Sequence, residues 1–109
     1  MIPTTVPLMG HVIQVFVIPE AEWQYGADCA GIWLPATHQI HINDALDDSN
    51  KMHTFFHELL HAILDCMNHR LSRNEAFVDQ LGGLLHQALA GATYAQPKPK
   101  RAPKRASKK

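Results

Sequence analysis

The sequence predicts a small α+β domain in which a mostly antiparallel N-terminal sheet packs on two C-terminal helices. Three observations carry this. His11 to Ile18 (HVIQVFVI) is rich in β-branched residues and stops at Pro19, as a buried strand does. Ile40 and Ile42 alternate with Gln39, His41 and Asn43, which gives one buried face and one wet face. From Phe55 to Leu64, and again from Phe77 to Leu89, apolar residues recur at steps of three and four, the period of an amphipathic helix. With 109 residues, 46% of them hydrophobic and 18% charged, the chain suffices for one core and not for two.

In order along the chain, the first expected strand is His11 to Ile18. Glu20 to Gly31 holds Gly26, Asp28 and Gly31 without a steady period, and reads as a loop or short helical turn. Ile32 to Leu34 and Gln39 to Asn43 form a strand pair around a turn at Pro35 to His38. Asp47, Asp48 and Ser49 are good helix-start residues, and a helix is expected over about Lys51 to Met67. After a short connection at Asn68 to Leu71, Ser72-Arg73-Asn74-Glu75 matches the S-x-x-E capping box, so the second helix should begin there. Its expected apolar stripe is Phe77, Leu81, Leu84, Leu85, Ala88 and Leu89, and Gly91 ends it.

The formal net charge of zero conceals a segregation. Before position 96, Lys51, Arg70 and Arg73 stand against all ten acidic residues, a balance of −7 with histidine neutral. Residues 96–109 carry seven Lys and Arg and no acid. The reading is therefore a domain over 1–95 and a disordered basic tail over 96–109, since Pro, Lys, Arg and Ala cannot build a core. No apolar run reaches the roughly 18–20 residues that span a membrane. The N-terminal apolar stretch has no basic segment before it, so a cytoplasmic protein is expected. Cys29 and Cys66 have no C-x-x-C spacing, and read as reduced packing residues.

The chemistry is concentrated at His57-Glu58-Leu59-Leu60-His61. Four residues apart on a helix, His57 and His61 project from one face. Two imidazole nitrogens can then reach one zinc ion at about 2.0–2.1 Å. Glu58, rotated by about 100°, misses the metal but can reach a water held there and act as its general base. Chance places H-E-x-x-H in only about 2% of shuffled chains of this composition, so coincidence is the weaker explanation. The plain alternative is a pair of surface histidines, against which stands their position among the core residues Phe55, Phe56, Leu59 and Leu60.

A catalytic zinc takes a third protein ligand and keeps one open position. Fourteen residues beyond His61 comes Glu75, within Asn-Glu-Ala-Phe-Val-Asp (74 to 79). HELLH followed on the next helix by NEAFVD resembles the gluzincin pattern of thermolysin-like metallopeptidases. The order of strands, HExxH helix, turn and glutamate-bearing helix is closest to the small ImmA/IrrE-type metallopeptidases of bacteria and phages. The likeness covers about residues 10 to 90. It implies a minimal zincin-like fold, a zinc cofactor held by His57, His61 and Glu75, Glu58 as catalytic base, and Asp79 as the carboxylate orienting His57. It further implies a protein or peptide substrate, laid beside Gln39 to Asn43 as an added strand.

Alternatives stand at several of these positions. Glu75, as the last residue of the capping box, can instead fold back on Ser72. Asp79 is the fallback third ligand, and Asp65, near the helix end and expected to face solvent, a weaker one. Gly82 and Gly83 inside a helix cost roughly 1 kcal/mol each against alanine, so they mark either a close approach of the HELLH helix or a tolerated irregularity. His53, one turn before His57, borders the site or is solvated. His86 lies about 16 Å along the helix from Glu75 and cannot share the metal. Tyr25, Trp23 and His38 are the chemically suited oxyanion stabilisers.

The leading expectation is thus a zinc metallopeptidase with a narrow protein substrate. A second is a zinc-stabilised binding module without efficient catalysis, a reading that leaves Glu58 without a task. The tail suits weak, salt-sensitive contact with nucleic acid or another polyanion. A nucleic-acid-binding protein with an incidental zinc site would rest on that tail alone.

Overall fold

The computed structural model describes residues 2–94; the basic segment 96–109 lies outside them. The described chain runs β1 (Thr5–Leu8), β2 (His11–Ile18), a 3-10 turn at Glu20–Glu22, β3 (Gly31–Leu34), β4 (Gln39–Asn43), α1 (Asp48–Cys66), a 3-10 turn at Arg70–Arg73, and α2 (Glu75–Ala90). This is an α+β domain with a four-stranded mixed sheet and two helices. Among the described residues no helix is long and apolar enough to cross a membrane.

The sheet order is β1-β2-β4-β3. β1 and β2 pair antiparallel, as do β3 and β4, while β2 and β4 run parallel with Val15 opposite Ile40 and Phe16 opposite His41. β1 is a strand that the residue pattern did not announce, because Pro7 interrupts it. Proline lacks the N–H of a ladder donor and is tolerated on an edge strand, which is where β1 lies. The Gln39–Asn43 strand, expected to border the substrate, is internal: its backbone pairs with β2 on one side and β3 on the other. A strand flanked on both sides has no free edge to offer a peptide. The strand at the helix-side edge is β3.

Period-two alternation turns Ile13 and Val15 of β2 and Ile40 and Ile42 of β4 onto the helix side, where they meet Phe55, Phe56 and Ala62 of α1. Ile13, Ile40, Ile42 and Val78 are almost fully buried, each contributing about 1.5–3 kcal/mol. A second cluster, Leu60, Leu64 and Val78, lies between α1 and α2. α1 starts one residue after Asp47, whose carboxylate accepts from Asn50 N–H at 2.8 Å, satisfying one of the first-turn donors.

α2 departs from expectation at both its start and its face. Its cap is Asn74, with Oδ1 accepting from Phe77 N–H at 3.0 Å, whereas Ser72 belongs to the preceding 3-10 turn. Tightening the connection into that turn moves the helix start three residues beyond Ser72, so Glu75 is the first helical residue and not the end of a capping box. The buried stripe runs through Val78 and Gly82. Leu81, Leu84 and Leu89 are exposed, because small residues let α2 lie on α1 along a different line from the leucines.

Candidate metal centre

Two helices and one edge strand build the site. α1 supplies His57, Glu58 and His61; α2 supplies Glu75 from its first turn and Asp79 one turn later; β3 closes the side behind Glu58. The close approach of the helices depends on Gly82, where a Cβ would stand 3.3 Å from His57 Cα and 3.4 Å from its nitrogen. Of the two readings of Gly82, close approach is the one realised. At the other side Gly31 does the same for β3: a Cβ there would overlap Thr54 Cγ2 and stand 3.5 Å from Glu58 Cγ.

The two imidazoles are largely buried, their side chains 17% and 12% exposed. His61 Nδ1 lies 2.6 Å from the main-chain oxygen of Ser72, and His57 Nδ1 lies 3.3 Å from Asp79 Oδ1. Both partners can only accept, so each Nδ1 carries the proton, and in the neutral ring each Nε2 carries the lone pair. Those two Nε2 atoms face each other at 3.2 Å, with Glu75 Oε1 at 3.0 Å from His57 and 3.3 Å from His61. Ligand atoms held at 2.0–2.1 Å around a tetrahedral ion stand about 3.3–3.4 Å from one another. The three atoms, at 3.0–3.3 Å, lie close to that spacing, so His57, His61 and Glu75 form a group that could hold a metal ion.

No protein-family model, curated protein or solved structure matches this chain. The case for the site therefore rests on its own geometry.

Charge in the cluster follows from contacts. Burial pushes the Glu75 carboxyl up, but the hydrogen bonds and positive charge that His57 and His61 supply when their rings carry protons on both nitrogens outweigh it and hold Glu75 below the ordinary carboxylate range. Asp79 is also lowered, by the hydrogen bond from His53 first and, with burial opposing, by that from His57. Glu58 goes the other way. It is only 9% exposed, and burial raises its carboxyl, with Glu75 adding to the rise and His57, His61 and the Trp33 backbone N–H opposing it. One carboxylate is thus held below the ordinary range beside the histidines, and its buried neighbour above it.

The cavity in front of this group has a volume of about 390 Å³. It is lined by the polar Glu58, His61 and Glu75, by Ile32, Trp33 and Pro35, and by Asp65, Ser72 and Arg73. Arg73 is the one cation among these lining residues.

The remaining residues singled out from the sequence are dispersed. Asp79 stands behind His57 and outside the His57, His61 and Glu75 trio. Asp65 does not join the trio and is not simply solvated: it accepts from Trp33 Nε1 at 2.8 Å and pins the end of α1 to β3. His86 packs on His53 and Phe56. His38 stacks on His11, and Tyr25 bonds His41 Nδ1 at 2.9 Å, with Trp23 edge-on to Tyr25. None of Trp23, Tyr25 and His38 lines the cavity, so none is placed to stabilise an oxyanion there. Cys29 and Cys66 are free; burial raises the Cys29 thiol, as does the neighbouring Glu58.

Sequence reasoning missed Trp33, Gly31 and the Ser72 carbonyl. Trp33 and Ser72 touch the machinery through backbone atoms, which residue type does not report. Gly31 did carry a signal, a glycine opening a β-branched and aromatic strand, and such a glycine often marks a close backbone approach.

Proposed function

We propose that the protein is a zinc-dependent hydrolase of peptide bonds with Glu58 as its general base. The observation that carries this reading is the convergence of His57 Nε2, His61 Nε2 and Glu75 Oε1 at 3.0–3.3 Å beside the buried carboxylate of Glu58. Three N/O donors with one side open to a cavity suit zinc over calcium or magnesium, which take more oxygen ligands.

A bound zinc ion supplies Lewis acidity toward a carbonyl oxygen and lowers the pKa of water toward about 7. The chain's own residues do the rest. His57 and His61 are locked in one tautomer by Asp79 and Ser72 and present Nε2. Glu75 contributes the negative charge. Glu58, with its carboxyl raised by burial, accepts a proton from the attacking water and returns it to the departing amine. Raising a carboxyl above its ordinary range makes it a stronger base for the first transfer and still leaves it an acid for the second. The cavity is small and walled by Ile32, Trp33 and Pro35, which favours a narrow substrate. The resemblance to ImmA/IrrE-type enzymes points the same way.

Glu58→Gln tests the reading. The amide cannot take the proton, so the variant should fold and bind zinc like wild type and lose hydrolysis of a peptide library by about 10²–10⁴-fold, the usual worth of a general base. Equal behaviour of the two zinc-loaded proteins toward every peptide would leave the site as a zinc-stabilised binding module. The seven cations of residues 96–109 add a salt-sensitive attraction to polyanions. Deleting 96–109 should abolish retention on DNA at low salt, and unchanged retention would refute it.

A further inference from the structure

His53 is the histidine of α1 that the proposed chemistry leaves without a task. We propose that it is a positioning residue for the candidate centre, acting on His57 through Asp79. The inference rests on the reading of His57 as a metal ligand.

One oxygen serves two rings. Asp79 Oδ1 lies 3.3 Å from His57 Nδ1 and 3.3 Å from His53 Nε2. The two rings stand on successive turns of α1, and α2 presents Asp79 between them. The Asp79 side chain is 63% exposed. Held by a single 3.3 Å bond, such a carboxylate samples other rotamers and other water partners. A second donor on the same oxygen removes that freedom and keeps the acceptor behind His57. Each N–H donates: His57 Nδ1–H and His53 Nε2–H both point at an atom that only accepts.

His53 is itself held. A Cβ on Gly83 would stand 3.3 Å from His53 Cε1, so the ring lies against the backbone of α2. The His86 ring meets it edge-on at 5.9 Å, and His86 leans on buried Phe56 at 6.0 Å. Support therefore runs from the core through Phe56 and His86 to His53, then through Asp79 to His57. This also assigns the second helical glycine: Gly82 admits the backbone of His57, and Gly83 admits the ring of His53.

The bland reading is an exposed His–Asp pair worth little to stability. The two readings differ in what they couple to. Zinc affinity is measured on the full chain by competition with a chromogenic chelator, for wild type, His53→Ala, His53→Gln, Asp79→Asn and the His53→Ala/Asp79→Asn pair. Removing a partner that holds a ligand costs about 10–100-fold in metal affinity, so Asp79→Asn should fall in that range. His53→Ala, one bond further out, should lose about 3–10-fold by the same logic. In the Asp79→Asn background the loss from His53→Ala should vanish, because the oxygen it steadies is changed. His53→Gln, whose amide can donate from nearly the same place, should recover most of the wild-type affinity.

Cobalt(II) absorption adds a readout that folding does not move: His53→Ala should alter the visible band, and His53→Gln should restore it. If His53→Ala is too unstable to load, the comparison of His53→Gln with His53→Leu decides, the first close to wild type and the second not. Wild-type affinity in His53→Ala, or an equal loss in both backgrounds, would overturn the proposal. A wild-type chain that binds no divalent metal would overturn the metal reading and this inference with it, an outcome distinct from metal bound without coupling.

Discussion

The main-chain oxygen of Ser72 stands 2.6 Å from His61 Nδ1 and thereby fixes which imidazole nitrogen His61 turns toward Glu75. The contact is made by backbone, at the end of the 3-10 turn that delivers Glu75 into α2. Position and tautomer of the site are thus set by the connection between the helices as much as by the helices.

It follows that Ser72→Ala should be nearly silent, with stability within about 0.5 kcal/mol of wild type and zinc affinity unchanged. Asn74→Ala removes the side chain that caps α2 and should cost about 1 kcal/mol in urea unfolding, together with a measurable weakening of zinc binding as Glu75 frays. The opposite ranking would restore Ser72 as the cap and Glu75 as its partner.

Much of this arrangement was legible in the residues. β2, the β3–β4 pair and α1 follow from Val, Ile and Phe patterns that leave one period in each segment. The spacing of His57, Glu58 and His61 carries its geometry with it, since a helix admits one arrangement of such positions. Other features were hidden for physical reasons. β1 carries a proline, and its only inward-leaning residues are Val6 and Leu8. The parallel pairing of β2 with β4 depends on where the long loop and β3 can pass, which no local pattern encodes. Leu81, Leu84 and Leu89 advertise a buried stripe that α2 does not bury, because the contact energy went to close packing through Val78 and Gly82.

Replacing Glu75 with Gln removes the anion from the trio. Zinc affinity should fall by more than the about 10–100-fold typical of an outer partner. Thermal unfolding gives an independent check. An ion present at 100 times its dissociation constant stabilises the fold by about 2.7 kcal/mol, so zinc should raise the wild-type transition and leave that of Glu75→Gln nearly unmoved.

The glycines separate packing from ligation. Gly82→Ala gains about 1 kcal/mol of helix propensity, yet its methyl group meets His57 Cα at 3.3 Å and forces a shift of a few tenths of an ångström. Stability should change little while zinc affinity drops several-fold. In Gly31→Val the added atoms overlap Thr54, with no compensating gain, and a loss of about 1–3 kcal/mol is expected. Urea unfolding and chelator competition on both variants distinguish the two patterns.

Acid should weaken the fold through His41. Burial lowers its pKa below the ordinary histidine value, and the neutral ring is held by Tyr25 at Nδ1 and Gln39 at Nε2, each at 2.9 Å. A depressed folded pKa means that the unfolded chain takes up the proton first. The contribution is therefore intact above about pH 6.5, the unfolded value, and is lost as pH falls below it and through the folded pKa. Comparing melting of wild type and His41→Gln between pH 7.5 and 5 should show a smaller acid loss in the variant. Parallel curves would remove His41 from the account.

The distances along the chain divide the labour further. His57, His61 and Glu75 fall within one helical hairpin, and closing so short a stretch has a low entropic cost. The environment of Glu58 comes from Gly31 and Trp33, far away in the chain and brought to α1 by the sheet. The proposed metal capture thus needs only contacts between neighbouring helices, whereas the proposed proton transfer also needs the long-range contact of α1 with β3. On the proposed chemistry, a chain that took up an ion early would lack a working base until the strand carrying Trp33 had docked.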